Sequence, residues 1–201
     1  KPGQFLHILV PGKTLRRPIS ICDVDPVART VRIVFEVRGE GTAVLAAAQP
    51  GDVVDVLGPL GHGFAPVNQQ GRALFVGGGI GVPPMRGCAK WTAERSTAVL
   101  GFRSADRAML SEDFQKSCKE IFLCSDDGSI GRHGFVDAQV RDILEKDKDF
   151  TAVLACGPKP MLKNVAAVAA GFGVPCQVSM EERMACGVGA CLGCAIQMAD
   201  G

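Results

Sequence analysis

The chain has 201 residues, with 22 Lys and Arg against 21 Asp and Glu for a net charge of +1. That near neutrality, with no basic stripe or acidic tail, argues against nucleic acid or an anionic membrane surface as the main partner. Apolar stretches such as 165–170 fall far short of the roughly 20 residues that cross a bilayer, no signal-peptide pattern opens the chain, and its length suits one large domain or two modest ones.

The first third is rich in β signals. Alternating or apolar runs at 5–10, 17–24, 30–37 and 53–57 are separated by the turn signals Pro11-Gly12, Asp25-Pro26, Arg38-Gly39-Glu40-Gly41, Gln49-Pro50-Gly51-Asp52 and Gly58-Pro59-Leu60-Gly61. Short strands punctuated in this way predict a small β-barrel over residues 1–67. The alanine-rich stretch 42–48 predicts a short helix with Thr42 as its cap. Residues 66–71 read as a linker. Beyond Gly71 the rhythm becomes strand, glycine loop, helix. Strands are predicted at 73–76, 98–102, 121–124 and 152–156, and helices at 84–94, 136–144 and 160–170. Such alternation means βαβ units, hence an α/β domain with a parallel sheet over 71–176. A last strand at 175–180 leads into a cysteine-rich region, 177–201.

Cys22, Cys88, Cys124 and Cys156, four of nine cysteines, sit inside apolar runs where cysteine behaves as a small hydrophobe. A disulfide framework is therefore set aside in favour of a reducing cytoplasm. Cys118, near Lys116 and Lys119, is expected at the surface. The last three cysteines form a C-x4-C-x2-C array, Cys186-Gly187-Val188-Gly189-Ala190-Cys191-Leu192-Gly193-Cys194. This is the plant-type opening of a [2Fe-2S] site, which a fourth cysteine downstream completes. Glycines here let the backbone take positive φ and wrap an inorganic core with its amides aimed at sulfur. Zinc is the competitor, but structural zinc sites usually take two C-x2-C pairs and one is present. A zinc-holding, non-enzymatic binding subunit accordingly stands as one alternative. Cys176 lies upstream, on the wrong side for the fourth ligand. The chain is therefore expected to be cut short at its C-terminal end and, opening on Lys1-Pro2-Gly3 without Met, at its N-terminal end as well.

Two loops follow strands and open helices. In Gly77-Gly78-Gly79-Ile80-Gly81-Val82-Pro83-Pro84, the glycines Gly78, Gly79 and Gly81 let the backbone approach a pyrophosphate, and the helix start offers free N–H groups. The second, Cys156-Gly157-Pro158-Lys159-Pro160-Met161, places another strand end where α/β sheets bind ligands. Together they resemble the NAD(P)-binding half of the ferredoxin reductase superfamily, in which a Cys-Gly-Pro turn lies near the nicotinamide. The resemblance implies that Cys156 neighbours the hydride-donating carbon, as a catalytic candidate, with Gly157 and Pro158 beside it. Arg17-Pro18-Ile19-Ser20 is similar to the superfamily's Arg-x-x-Ser element, which implies Arg17 as a bidentate phosphate clamp and Ser20 at the isoalloxazine edge. Gly41 and Thr42, opening the short helix, then face the flavin pyrophosphate, and Val34, Phe35 and Glu36 match a third flavin-contact segment. Phe35 and Glu36 stand where the family often has Tyr and Arg.

The whole chain resembles the electron-transfer subunits of NAD-dependent (class 1B) dihydroorotate dehydrogenases. The segments that carry this are 15–21, 55–61, Asp127-Gly128-Ser129 and, most specifically, Glu181-Glu182-Arg183-Met184-Ala185-Cys186-Gly187. The resemblance implies electron transfer between the FMN of a catalytic partner subunit and NAD through a [2Fe-2S] cluster and FAD, in de novo pyrimidine biosynthesis. It also implies a cytoplasmic heterotetramer with two copies of each subunit. His7, His62 and His133 are scattered; His62 sits in a glycine turn and His133 beside Gly131 and Gly134, so a loop histidine is expected over a catalytic one, and Asp126 and Asp127 are expected to shape the turn before Gly128. Arg103 and Ser104 are placed to cradle a 2′-phosphate, opposed by Asp106, so that charge alone does not choose NAD over NADP. The flavin and iron-sulfur subunit of a ferredoxin:NADP oxidoreductase or sulfide dehydrogenase is the alternative enzyme.

Overall fold

The computed structural model of the chain describes residues 1–68, 70–92 and 95–197. Gln69 of the expected linker, Glu94 at an expected helix end and the final residues 198–201 lie outside the described residues. Strands β1 (Phe5–Ile8), β2 (Arg17–Asp25), β3 (Thr30–Ile33) and β4 (Val56–Leu60) form an antiparallel sheet in the order β3-β2-β1-β4. On β2 the residues Ile19 and Ile21, two apart and therefore on one face, are both buried. The third strand is shorter than its apolar run: from Val34 the chain leaves the ladder, and Val34, Phe35 and Glu36 line a cleft instead.

Helix α1 (Glu40–Ala46) starts before the expected position, with Gly39 as its cap. Thr42 is the third helical residue, and its Oγ1 reaches back to accept the N–H groups of Arg38 at 2.9 Å and Gly39 at 3.2 Å. The hydroxyl thus satisfies orphan donors of the helix start from inside the first turn.

The second sheet is parallel throughout. It contains β5 (Arg72–Gly78), β6 (Ser96–Phe102), β7 (Glu120–Ser125), β8 (Arg132–His133), β9 (Phe150–Cys156) and β10 (Cys176–Ser179), in the order β10-β9-β5-β6-β7-β8. Helices α2 (Val82–Thr92) and α3 (Ser111–Gln115) pack on one face, where Phe75, Val82, Met85, Leu100 and Phe114 form one core. Helices α4 (Val136–Lys146) and α5 (Lys159–Gly171) cover the other with Leu74, Val76, Val140, Val153 and Val165. A sheet covered on both faces needs strands that are apolar all along, which is why 73–76 shows no alternation. Neither α3 nor β8 was expected: five and two residues are too short to carry a period.

Cys118 corrects an expectation. It is buried, its N–H donating to the Phe114 carbonyl at 2.8 Å, while Lys116 and Lys119 on either side point to water. The turn after α3 folds the cysteine inward, and burial pushes its thiol pKa up. The barrel sheet meets the α/β sheet through α2, which packs on β2. Lys90 donates to Asp23 at 2.5 Å across this seam, and Arg32 of β3 donates to Asp113 of α3 at 2.9 Å. Among the described residues no helix is long and apolar enough to cross a membrane.

Candidate functional site

One cleft of about 400 Å³ joins the two sheets, a size within the usual range for small-molecule sites. Arg17, Pro18, Ile19 and Ser20 of β2 form one wall, Val34, Phe35 and Glu36 a second, and Thr42 closes the end near α1. Cys156, at the end of β9, reaches the same cleft from the α/β side. Arg17 is held by donating from Nη1 to the Leu15 carbonyl at 2.7 Å. Its guanidinium lies directly over Gly41, where an added Cβ would stand 2.5 Å from Nε. Gly41 does not line the cleft itself; its missing side chain is the space that Arg17 occupies. A positive fork held at a helix start, with apolar walls beside it, fits a flavin with its phosphates.

The two glycine loops meet because β5 and β9 are neighbours in the sheet, Gly77 pairing with Cys156. From β5 the chain steps through β6 to β7 on one side and returns to β9 on the other, so the loops flank a topological switch point. Their packing requires glycine. A Cβ on Gly81 would stand 2.3 Å from the Cys156 carbonyl oxygen, and one on Gly78 would stand 2.4 Å from the Met161 sulfur. Gly79 has φ +54 and open space around it, and Gly157 has φ +156. These four glycines and Pro158 shape the approach to the cleft without lining it. Burial pushes the Cys156 thiol up to about 11, against a hydrogen bond with Ser179 and helped by the negative charge of Glu181. Cys156 is thus a neutral thiol at pH 7, suited to contact and not to base or nucleophile work.

The cysteine loop lies beyond Glu181, Glu182 and Met184, which line the cleft in passing. Cys186 accepts the Cys191 N–H on Sγ at 3.4 Å. Amides of Cys191 and Val188, then the Cys191 thiol and the Ala190 amide, lower the Cys186 pKa to about 6. Such a nest of donors around one sulfur, built on positive φ at Gly187, Gly189 and Leu192, favours a thiolate ligand. Among the described residues no three Cys, His, Asp or Glu side chains close in as they would around a single metal ion. Cys186 and Cys191 are brought together, while Cys194 stands further along the loop. The donor set, three thiols in C-x4-C-x2-C spacing with Cys186 and Cys191 in contact, fits three of the four ligand positions of a [2Fe-2S] core.

His133, expected in a loop, is on the short β8, whereas His7 lies on β1, within the β run expected there, and is 1% exposed. Among the described residues neither ring nitrogen has a hydrogen-bond partner. Burial, then the charge of Arg16, lowers its pKa, so the ring is neutral at pH 7. It lies against the cysteine loop, for a Cβ on Gly187 would stand 2.6 Å from Nδ1. Sequence reading also passed over Arg38, Met180, Glu182 and Lys159. Arg38 lines the cleft and pairs with Glu36 at 2.7 Å, and Lys159 of the Cys-Gly-Pro turn pairs with Glu182. A charged residue inside a turn signal was the available hint for Arg38. Asp127 serves its turn as expected, accepting the Ser129 N–H at 2.9 Å.

Residues 75–167 match the family model of an oxidoreductase NAD-binding domain, and residues 181–201 match that of the iron-sulfur cluster binding domain of dihydroorotate dehydrogenase B. Over 206 residues the chain is 46% identical to the dihydroorotate dehydrogenase B (NAD(+)) electron transfer subunit of Geobacillus thermodenitrificans, covering 96% of this chain and 76% of that one. The chain belongs to this family of electron transfer subunits. Among solved structures, the NADH-dependent reduced ferredoxin-NADP oxidoreductase, described for flavin-based electron bifurcation, superposes with a TM-score of 0.85 at 35% identity, covering 96% of this chain and 71% of that one. A ferredoxin reductase of carbazole 1,9a-dioxygenase shares the fold, with a TM-score of 0.69 at 21% identity over 89% of this chain and 59% of that one. The two models bear out the iron-sulfur and nicotinamide expectations, and the ferredoxin reductase-like fold brings FAD with it.

Proposed function

We propose that the chain carries electrons between NAD and a catalytic dihydroorotate dehydrogenase subunit in pyrimidine biosynthesis. The observation that carries this reading is the cleft that brings Arg17–Ser20 and Cys156 together, with Glu181 and Met184, which lead in sequence to Cys186, on its wall. NADH gives up a hydride, iron-sulfur clusters pass single electrons, and a flavin is the group that converts one into the other.

The residues divide the work. Arg17 supplies a fixed cation for phosphate, Ser20 a hydroxyl at the ring edge, and Thr42, in the first turn of α1, closes the end of the cleft. Val34 and Phe35 give the ring an apolar wall. Glu36, paired with Arg38, adds no net charge at this end. Gly78, Gly79, Gly81, Gly157 and Pro158 let a dinucleotide approach the ends of β5 and β9, with Cys156 facing the nicotinamide as a neutral, water-excluding contact. Cys186, Cys191 and Cys194 hold the iron. We place the unit boundaries at 1–67, 71–176 and 177–201, the assembly at two copies of each subunit, and the protein in the cytoplasm, where nine cysteines stay reduced.

Coexpression of the full-length subunit with its catalytic partner should give NAD-dependent dihydroorotate oxidation that each half alone lacks. Cys191→Ser should abolish the NAD-linked reaction and leave oxidation by artificial acceptors intact. Equal loss in both assays would count against the path. A second reading, a subunit of a ferredoxin:NADP oxidoreductase, has the 35% identical bifurcating relative in its favour. Reduction of ferredoxin with NADPH, without any response to dihydroorotate, would select it.

A further inference from the structure

We propose that His7 is a positioning residue for the iron-sulfur cluster, its imidazole N–H held ready beneath the Cys186 end of the ligand loop. This rests on the reading of Cys186, Cys191 and Cys194 as cluster ligands and extends it to a residue at the opposite end of the chain.

Three observations converge. His7 is 1% exposed, yet Nδ1 and Nε2 both lack a hydrogen-bond partner among the described residues. A buried polar group left unpaired is costly, and native structures rarely keep one without use for it. Next, the ring faces the loop: Gly187, with φ +72, approaches so closely that a Cβ would stand 2.6 Å from Nδ1 and 3.1 Å from Cε1. The backbones of Cys186 and Arg16 both lie close enough to favour a proton on the ring without reaching hydrogen-bond geometry, and of the two only Cys186 belongs to the ligand loop. Finally, His7 and Phe5 point to the same side of β1, their rings edge-to-face with centroids 6.4 Å apart, and Phe5 lines the flavin cleft. The ring therefore stands between the cleft and the cysteine loop. Its backbone is fixed as well, since Arg16 donates to the His7 carbonyl at 3.2 Å and to the Asp55 carboxylate at 2.8 Å.

A donor beneath a ligand loop orients the ligand and places a positive dipole beside the cluster. Hydrogen bonding and burial are the protein's levers on the reduction potential of such a centre. Gly187 is then doubly constrained, by its backbone conformation and by the imidazole under it.

The test is made on the full-length complex with its catalytic partner, reading the electron paramagnetic resonance signal of the reduced cluster and its redox titration. In His7→Leu the ratio of reduced to oxidised cluster at a fixed poise should fall about tenfold, the size of one lost hydrogen bond to a charged group. The g-values should shift while bound FAD is unchanged. His7→Asn sets an amide nitrogen as many bonds from Cβ as Nδ1, and His7→Gln matches Nε2. Asn should restore the wild-type titration and Gln should not. If the leucine variant fails to fold, the Asn and Gln pair decides alone. Identical titrations and spectra for wild type, Asn and Gln would overturn the proposal. A wild-type complex with no [2Fe-2S] signal would instead overturn the functional reading beneath it.

Discussion

Gly41 and Gly81 differ in what a methyl group would meet, and the difference separates ligand binding from folding. At Gly41 the new Cβ would press on the Arg17 guanidinium, 2.5 Å from Nε and 2.9 Å from Nη2, the far end of a flexible side chain. Gly41→Ala should therefore displace Arg17, raise the FAD dissociation constant about tenfold through loss of a charge-assisted contact, and change stability by less than about 1 kcal/mol. Flavin fluorescence titration and denaturant unfolding check the two halves. At Gly81 the obstruction is backbone, the Cys156 oxygen at 2.3 Å and the Gly157 nitrogen at 2.6 Å, which cannot rotate away. Gly81→Ala should cost about 1–3 kcal/mol of stability and slow flavin reduction by NADH, measured by stopped-flow. Arg17, Ser20 and the three loop cysteines could be singled out from local spacing, and the fold sets Arg17 and Ser20 in one cleft. His7 could not be. A lone histidine in an apolar run gives no sign of its role until the fold sets Gly187 against it. Cys118 misled for a related reason, since lysines on either side mark a surface segment but not which way each side chain turns.

Long, strongly patterned elements were readable, and those whose ends depend on distant contacts were not. The strands β5, β6, β7 and β9 with helices α2, α4 and α5 follow from apolar runs and glycine punctuation alone. Helix α3 has five residues and no period of its own; it is anchored by Phe114 in the core and by Asp113 at the seam with the barrel. Asp113 accepts from Arg32 at 2.9 Å and lies 3.8 Å from Arg86 Nε. Arg86 is 8% exposed, and among the described residues its Nε and Nη1 have no hydrogen-bond partner. Asp113→Ala leaves that buried charge without its counter-ion and should cost about 1–3 kcal/mol, a range lowered because Asp113 is itself partly solvated. Arg32→Ala removes only the exposed partner and should cost no more than about 1 kcal/mol. Urea unfolding of both variants separates the cases, and equal losses would show that Arg86 draws its compensation elsewhere.

How the two sheets sit together was the least legible feature, because the contacts that join them link residues far apart in sequence. Alternation of strand and helix gives the parallel sheet, but nothing local says that α2 must lie on β2. The seam is ionic at its rim, where Lys90 of α2 donates to Asp23 of β2 at 2.5 Å. Burial tends to raise the Asp23 pKa; the Lys90 hydrogen bond, the Val24 N–H and the charges of Lys90 and Arg86 outweigh it and leave the carboxyl below its usual value. In the unfolded chain the same carboxyl titrates near the ordinary value of about 3.9. Between that value and the lower folded one, the unfolded state binds more protons, so stability falls as pH falls. The contribution is complete above about pH 4–5 and lost as pH drops through the folded pKa. Asp23→Asn should therefore be less stable than wild type at pH 7, and the gap should narrow steadily in acid. Lys90→Met should narrow in the same window, since it removes the main group that holds the proton off. Unfolding midpoints measured from pH 7 down to the acid limit test this directly, and a gap that stays constant with pH would show that the seam is held by packing on β2 and not by the pair at its rim.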